Sequence, residues 1–77
     1  MFTRLTKLLK EIHPEIEFTS DLNLIEQGIL DSFDLIILTA ELEKEFKIKI
    51  KGEDINSKNF ASVNTIVNLI NGSAVSQ

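Results

Sequence analysis

The segment "SFDLIILTAELEKEF", residues 32–46, constrains this chain more than any other. Leu35, Leu38, Leu42 and Phe46 step by three, four and four, which places them on one side of a helix. The segment is rich in Leu, Ala, Glu and Lys, all strong helix formers. At about 100° per residue, Phe33, Ile36, Ile37 and Ala40 gather on roughly the opposite side. Asp34, Glu41 and Glu45 lie on a flank between the two. A helix with two apolar stripes is either sandwiched by its neighbours or presents one stripe to a partner.

The remaining sequence supplies helices to pack against it. Phe2, Leu5, Leu8, Leu9 and Ile12 recur at helical spacing and predict a first helix over about residues 2–12. Pro14 disfavours helical geometry at His13 and should stop it there, leaving His13 as an exposed helix-end residue. The connection over residues 13–31 carries Ile16, Phe18, Leu22, Leu24, Ile25, Ile29 and Leu30, too many apolar residues for a free linker. It is expected to lie across the bundle and feed the core, with one turn near Asn23–Gln27 and a positive φ at Gly28.

After the central helix, Lys47 to Lys51 alternate with a strand period. No partner strand is evident, so an extended loop with docked isoleucines is expected. Ile55 and Phe60 read as further plugs, with a helical turn around residues 56–60. Ser62 caps a last helix in which Val63, Ile66, Val67 and Ile70 form the apolar stripe, and Gly72 ends it. The sum is an all-α fold: a small helical bundle of three main helices and one short one, with a long first loop. Residues 1–77 form a single domain, with residues 72–77 as a frayed tail.

Size and charge exclude several functions. A chain of 77 residues buries only roughly 60% of its unfolded surface, too little for a deep enclosed active site. Eight basic against twelve acidic residues leave a net charge of −4, a poor basis for binding nucleic acid. There is no cysteine, hence no disulfide, thiolate nucleophile or cysteine metal site. No run reaches the roughly 18 apolar residues of a membrane span, and no secretory h-region opens the chain. The cytoplasm is the expected compartment.

Ser32 stands between Asp31 and Asp34 at the start of the central helix, and three roles compete for it. A catalytic serine needs a positioned base. The one histidine, His13, lies far away in sequence, and there is no nucleophile elbow or oxyanion-hole motif. A metal site fares no better, because "DLNLIEQG" lacks the ligand spacing of a calcium loop. Ser32 could be the helix cap, but Asp31 can fill that position, with Asp34 at N3 as a weak capping box. Ser32 then sits at N1, its hydroxyl free for attachment of another group. A phosphate there is favoured by the helix dipole and opposed by the two carboxylates.

"LIEQGILDSFDLIILTAELEKEF" resembles the attachment region of acyl and peptidyl carrier proteins. That pattern is a Gly, an apolar pair, then Asp-Ser-Leu-Asp opening a long helix that ends in Glu-x-x-Phe. The matching positions are Gly28, Ile29, Leu30, Asp31, Ser32, Phe33, Asp34, Glu43 and Phe46, and the likeness covers nearly the whole chain. The resemblance implies that Ser32 receives a 4′-phosphopantetheine arm from coenzyme A, added by a separate phosphopantetheinyl transferase. The arm's thiol would carry acyl or aminoacyl groups, while Asp31 and Asp34 flank the attachment point. It further implies a monomeric carrier that is not an enzyme. Loading and downstream enzymes would read its second helix through Phe33, Asp34, Ile36, Ile37, Ala40, Glu41 and Glu45. An alternative is an interaction module of the same fold that carries no cargo.

Some positions depart from the pattern. Phe33 replaces the usual Leu, Ile37 stands where fatty-acid-synthesis carriers commonly have Glu, and Lys51 stands where many have Pro. The segment "INSKNFASVNTIV" looks more like carriers of aminoacyl groups or specialised acyl pathways, D-alanyl carriers among them.

Overall fold

The computed structural model describes residues 1–75. Three helices carry the architecture: α1 (Phe2–Ile12), α2 (Ser32–Phe46) and α3 (Val63–Gly72). α1 packs against both α2 and α3. Leu5, Leu8 and Leu9 from α1 meet Leu35, Leu38 and Leu42 from α2, and Val63, Ile66 and Ile70 from α3, in one core. The stripe read from the sequence therefore faces inward, with Phe46 packed at its margin.

α1 ends where Pro14 predicts. The His13 amide still donates to the Leu9 carbonyl at 2.9 Å, but the His13 backbone has left the helical region at φ −133°, ψ 78°. The long first loop that follows supplies buried Phe18, Leu24 and Leu30 to the core. It is held by backbone bonds to the α3 entrance: the Leu24 amide donates to the Ala61 carbonyl (2.7 Å) and the Asn64 amide to the Ser20 carbonyl (3.2 Å). The second bond satisfies a donor that the first turn of α3 leaves without an intrahelical partner. The turn at Asn23–Gln27 forms as expected, closed by Gln27 N–H to Asn23 O at 3.2 Å and by Glu26 N–H to Asn23 Oδ1 at 2.8 Å. Gly28 follows at φ +71°.

α2 ends without glycine. Lys47 takes the left-handed conformation (φ 53°, ψ 53°), and its amide closes on the Glu43 carbonyl. Beyond it the strand alternation is real: Ile48 and Ile50 are buried, whereas Lys49 and Lys51 are exposed. The expectation of an unpaired extended loop is corrected here. Ile48–Lys49 (β1) pairs antiparallel with Ala74–Val75 (β2), Ile48 opposite Val75 and Lys49 opposite Ala74. The expectation of a frayed tail from residue 72 is corrected with it. Gly72 is still helical, and the Ser73 hydroxyl donates to the Leu69 carbonyl at 2.7 Å before the chain enters β2. The end of that expected tail, residues 76–77, lies outside the described residues. "SAVSQ" gave no strand period to read, because two paired residues are too few to show one.

The short element is a 3-10 turn at Gly52–Asp54, followed by a turn closed by Phe60 N–H to Asn56 O at 3.2 Å. That turn drives Phe60 fully into the core. α3 then starts with a complete capping box. The Ser62 hydroxyl accepts from the Thr65 amide (3.2 Å), and the Thr65 hydroxyl accepts from the Ser62 amide (2.9 Å).

The loop residue Phe60 should matter as much as any helix residue. Phe60→Ala is expected to cost about 3–5 kcal/mol and Ser62→Ala about 1 kcal/mol, both read as midpoint shifts in urea unfolding.

Candidate functional site

The start of α2 is built by Asp31. Its extended backbone (φ −107°, ψ −177°) lets its carboxylate accept the Asp34 amide at 2.9 Å, so Asp31 is the cap and Ser32 opens the helix. Ser32 is exposed, and its hydroxyl makes no hydrogen bond among the described residues. The amides of Ser32 and Phe33 likewise have no partner among the described residues. Two open N–H groups at the positive end of a 15-residue helix favour an anion bonded at this point. A phosphodiester on Ser32 fits these residues: the hydroxyl is accessible and is not needed to close the helix.

The second apolar stripe of α2 is presented to solvent. Phe33 is 68% exposed, Ile36 64% and Ile37 38%, and Ala40 is exposed beside them. These side chains begin directly after Ser32. Of the carboxylates on the same helix, Glu41 is exposed and makes no polar contact among the described residues. The others are engaged. Glu45 accepts two hydrogen bonds from the Arg4 guanidinium (3.0 and 2.8 Å). Arg4 also reaches the Glu45 carbonyl and lies over the Phe46 ring, 4.7 Å from its centroid. Glu43 points inward instead and accepts the Ile50 amide at 2.8 Å, fixing the chain beyond Lys47.

Asp34 is engaged as well, and its partner corrects the reading of His13. That residue is not an exposed helix end. It is half-buried, with Nε2 3.2 Å from Asp34 Oδ2 and Nδ1 3.3 Å from Glu15 Oε2. The fold thus brings the histidine to Asp34, 21 residues away in sequence, on the first turn of the serine's helix. No signal in the sequence marks the pairing, because it depends on the path of the first loop. The hydrogen bond to Asp34 raises the His13 pKa above its ordinary value. Partial burial opposes this, and the Asp34 charge and Glu15 reinforce it. Both ring nitrogens face carboxylates, and among the described residues none donates to or accepts from Ser32. The arrangement has the acid partner of a triad but lacks the link from base to serine that nucleophilic catalysis requires.

No helix among the described residues is long and apolar enough to cross a membrane. Among the same residues, no group of three or more His, Asp or Glu side chains could hold a metal ion.

Two outcomes follow from this geometry. Ser32→Ala should leave unfolding free energy within about 0.5 kcal/mol of wild type, whereas Asp31→Ala should cost about 1 kcal/mol. The raised His13 pKa sets the sign of a pH effect. Its stabilising contribution is fully present below the unfolded value of 6.5 and is lost as pH rises through the higher folded value. Urea midpoints of wild type and His13→Gln should therefore differ most below pH 6.5 and converge as pH rises past the folded-state value.

Comparison with known protein families matches the chain to the phosphopantetheine attachment site over residues 3–70. No curated protein and no solved structure matches the chain. The family match runs from the first turn of α1 into the last turn of α3 and includes α2 and both connections, with the Asp31-capped turn inside it. This chain therefore belongs to the phosphopantetheine-attachment family, that of the acyl and peptidyl carrier proteins, whose members bind 4′-phosphopantetheine covalently.

Proposed function

We propose that this chain is a free-standing carrier that holds acyl or aminoacyl groups as thioesters on a 4′-phosphopantetheine arm attached to Ser32 Oγ. The observation that carries the reading is the uncommitted Ser32 hydroxyl at the mouth of α2, with Asp31 performing the cap in its place. In loading, a bond forms between Ser32 Oγ and the phosphorus of coenzyme A that bears pantetheine. The diphosphate P–O bond breaks, adenosine 3′,5′-bisphosphate leaves, and the hydroxyl proton passes to a base of the transferase. The arm, when attached, supplies the thiol on which cargo rides. The chain itself performs no catalysis in this reading, acts as a monomer and resides in the cytoplasm.

The partners are a phosphopantetheinyl transferase and the enzymes that load and unload the arm. Each must approach Ser32, and the exposed Phe33, Ile36, Ile37 and Ala40 are the apolar surface it meets on doing so. Glu41, without a polar contact among the described residues, rims that surface, and Glu45 stands further along with Arg4 bound to it. Ile37 in place of an acidic residue makes this surface less acidic than a fatty-acid-synthesis partner usually meets, and the Lys47–Lys51 cluster adds positive charge beyond the far end of α2. We favour an aminoacyl or specialised acyl cargo on that ground.

Incubation with coenzyme A, Mg²⁺ and a broad-specificity phosphopantetheinyl transferase should add one arm, seen by intact-protein mass spectrometry. Peptide mapping should place it on Ser32, and Ser32→Ala should take none. An unmodified wild type, or an equally modified Ser32→Ala, would falsify the reading. Phe33→Ala and Ile36→Ala, both on exposed side chains, should leave stability within about 0.5 kcal/mol of wild type. Each should raise the KM for the chain in the loading reaction by roughly three- to tenfold, as expected for apolar interface anchors.

A further inference from the structure

His13 has no part in the carrier reading so far, yet it touches the turn that bears Ser32. Asp31 and Asp34 flank that residue, and a phosphodiester on Ser32 would add a third negative charge at one helix end. The dipole and the two open amides favour the added charge, and the carboxylates oppose it. Among the described residues, His13 is the one basic side chain in contact with either flanking carboxylate. The charged groups that face its ring are Asp34 from α2 and Glu15 from the loop after α1. Lys10, in the last turn of α1, turns instead to Glu17 at 3.7 Å.

We propose that His13 is a positioning residue for loading of Ser32: as an imidazolium bound to Asp34 it offsets one of the two flanking carboxylates and eases entry of the phosphate. The inference rests on the reading of Ser32 as the attachment point. It makes the two events reciprocal, because a proton on His13 that favours the phosphate must itself be favoured by the phosphate. Ser32 and Asp34 are two residues apart on the helix, so phosphate and imidazole lie on the order of 10 Å from one another. Across a surface-like dielectric, and screened over about one Debye length at roughly 0.1 M salt, that separation corresponds to a change of about two- to threefold in proton affinity. The Asp34 contact raises the His13 pKa, so the imidazolium persists to higher pH than it would on a free side chain.

The chain holds a single histidine, so its imidazole carbon-bound protons give one unambiguous reporter. The experiment is an NMR pH titration of His13 in the whole wild-type chain, before loading and after loading verified by mass spectrometry. The loaded form is expected to hold its imidazole proton about two- to threefold more tightly. A second measurement compares kcat/KM for loading of wild type with that of His13→Arg, which carries a permanent charge. Taking their ratio at each pH cancels the transferase's own titrations. The ratio is expected to fall about two- to threefold as pH rises through the His13 titration. If the arm loads but the His13 titration does not move, or the ratio is flat with pH, this inference fails while the carrier reading stands. If wild type takes no arm at all, both fail together.

Discussion

The hydrogen bond from the Asp34 amide to the Asp31 carboxylate determines what the rest of this molecule can do. A helix of 15 residues must have its first amides answered by something. Had Ser32 been the cap, its hydroxyl would be turned into that work and the helix would start one residue later. With Asp31 in that place, the hydroxyl is exposed on the first turn of a rigid element, next to two amides that still lack partners among the described residues. The arrangement differs from an active site in one respect that matters. A nucleophile needs a base of its own, whereas a hydroxyl offered to another enzyme needs only accessibility and a fixed position.

The polar groups of the second helix follow the same division between internal and external use. Glu43 closes the chain beyond Lys47, Glu45 ties the far end of α2 to Arg4, and Asp34 meets His13. Pairs as exposed as Arg4–Glu45 contribute little to stability, of order 0–1 kcal/mol, but they change what a visitor encounters. The outward face between these contacts is apolar, and the charge around it is largely matched from within the chain. A partner that relied on a basic patch would meet few unmatched carboxylates here.

Much of this was legible in the sequence, for reasons that can be named. The three helices and the inward stripe of α2 follow from 3.6-residue periodicity, which reports burial on one side of a long element. Gly28 at positive φ and Ser62 before α3 follow from local backbone chemistry, which also offered Asp31 beside Ser32 as a cap for α2 and left the choice between them to the structure. The exposure of Phe33 and Ile36 was left open, because periodicity identifies a second stripe but not whether a neighbour covers it. What escaped was long-range. The β1–β2 pair joins segments some 25 residues apart through only two residues each. The His13–Asp34 contact needs the whole first loop to be traced before its ends can be brought together.

Those ends have a mechanical consequence. α1 contributes the partner at each end of α2: Arg4, near its own start, grips Glu45, and His13, just past its end, grips Asp34. The leucines packed between them fill the span. α2 is therefore a beam pinned at both supports, with its free surface facing outward and Ser32 beside one pin. A load placed on Phe33 or Ile36 falls close to that support, where deflection is least. Ser32 thus opens a helix that is held to α1 close by, and its place is set by the fold itself.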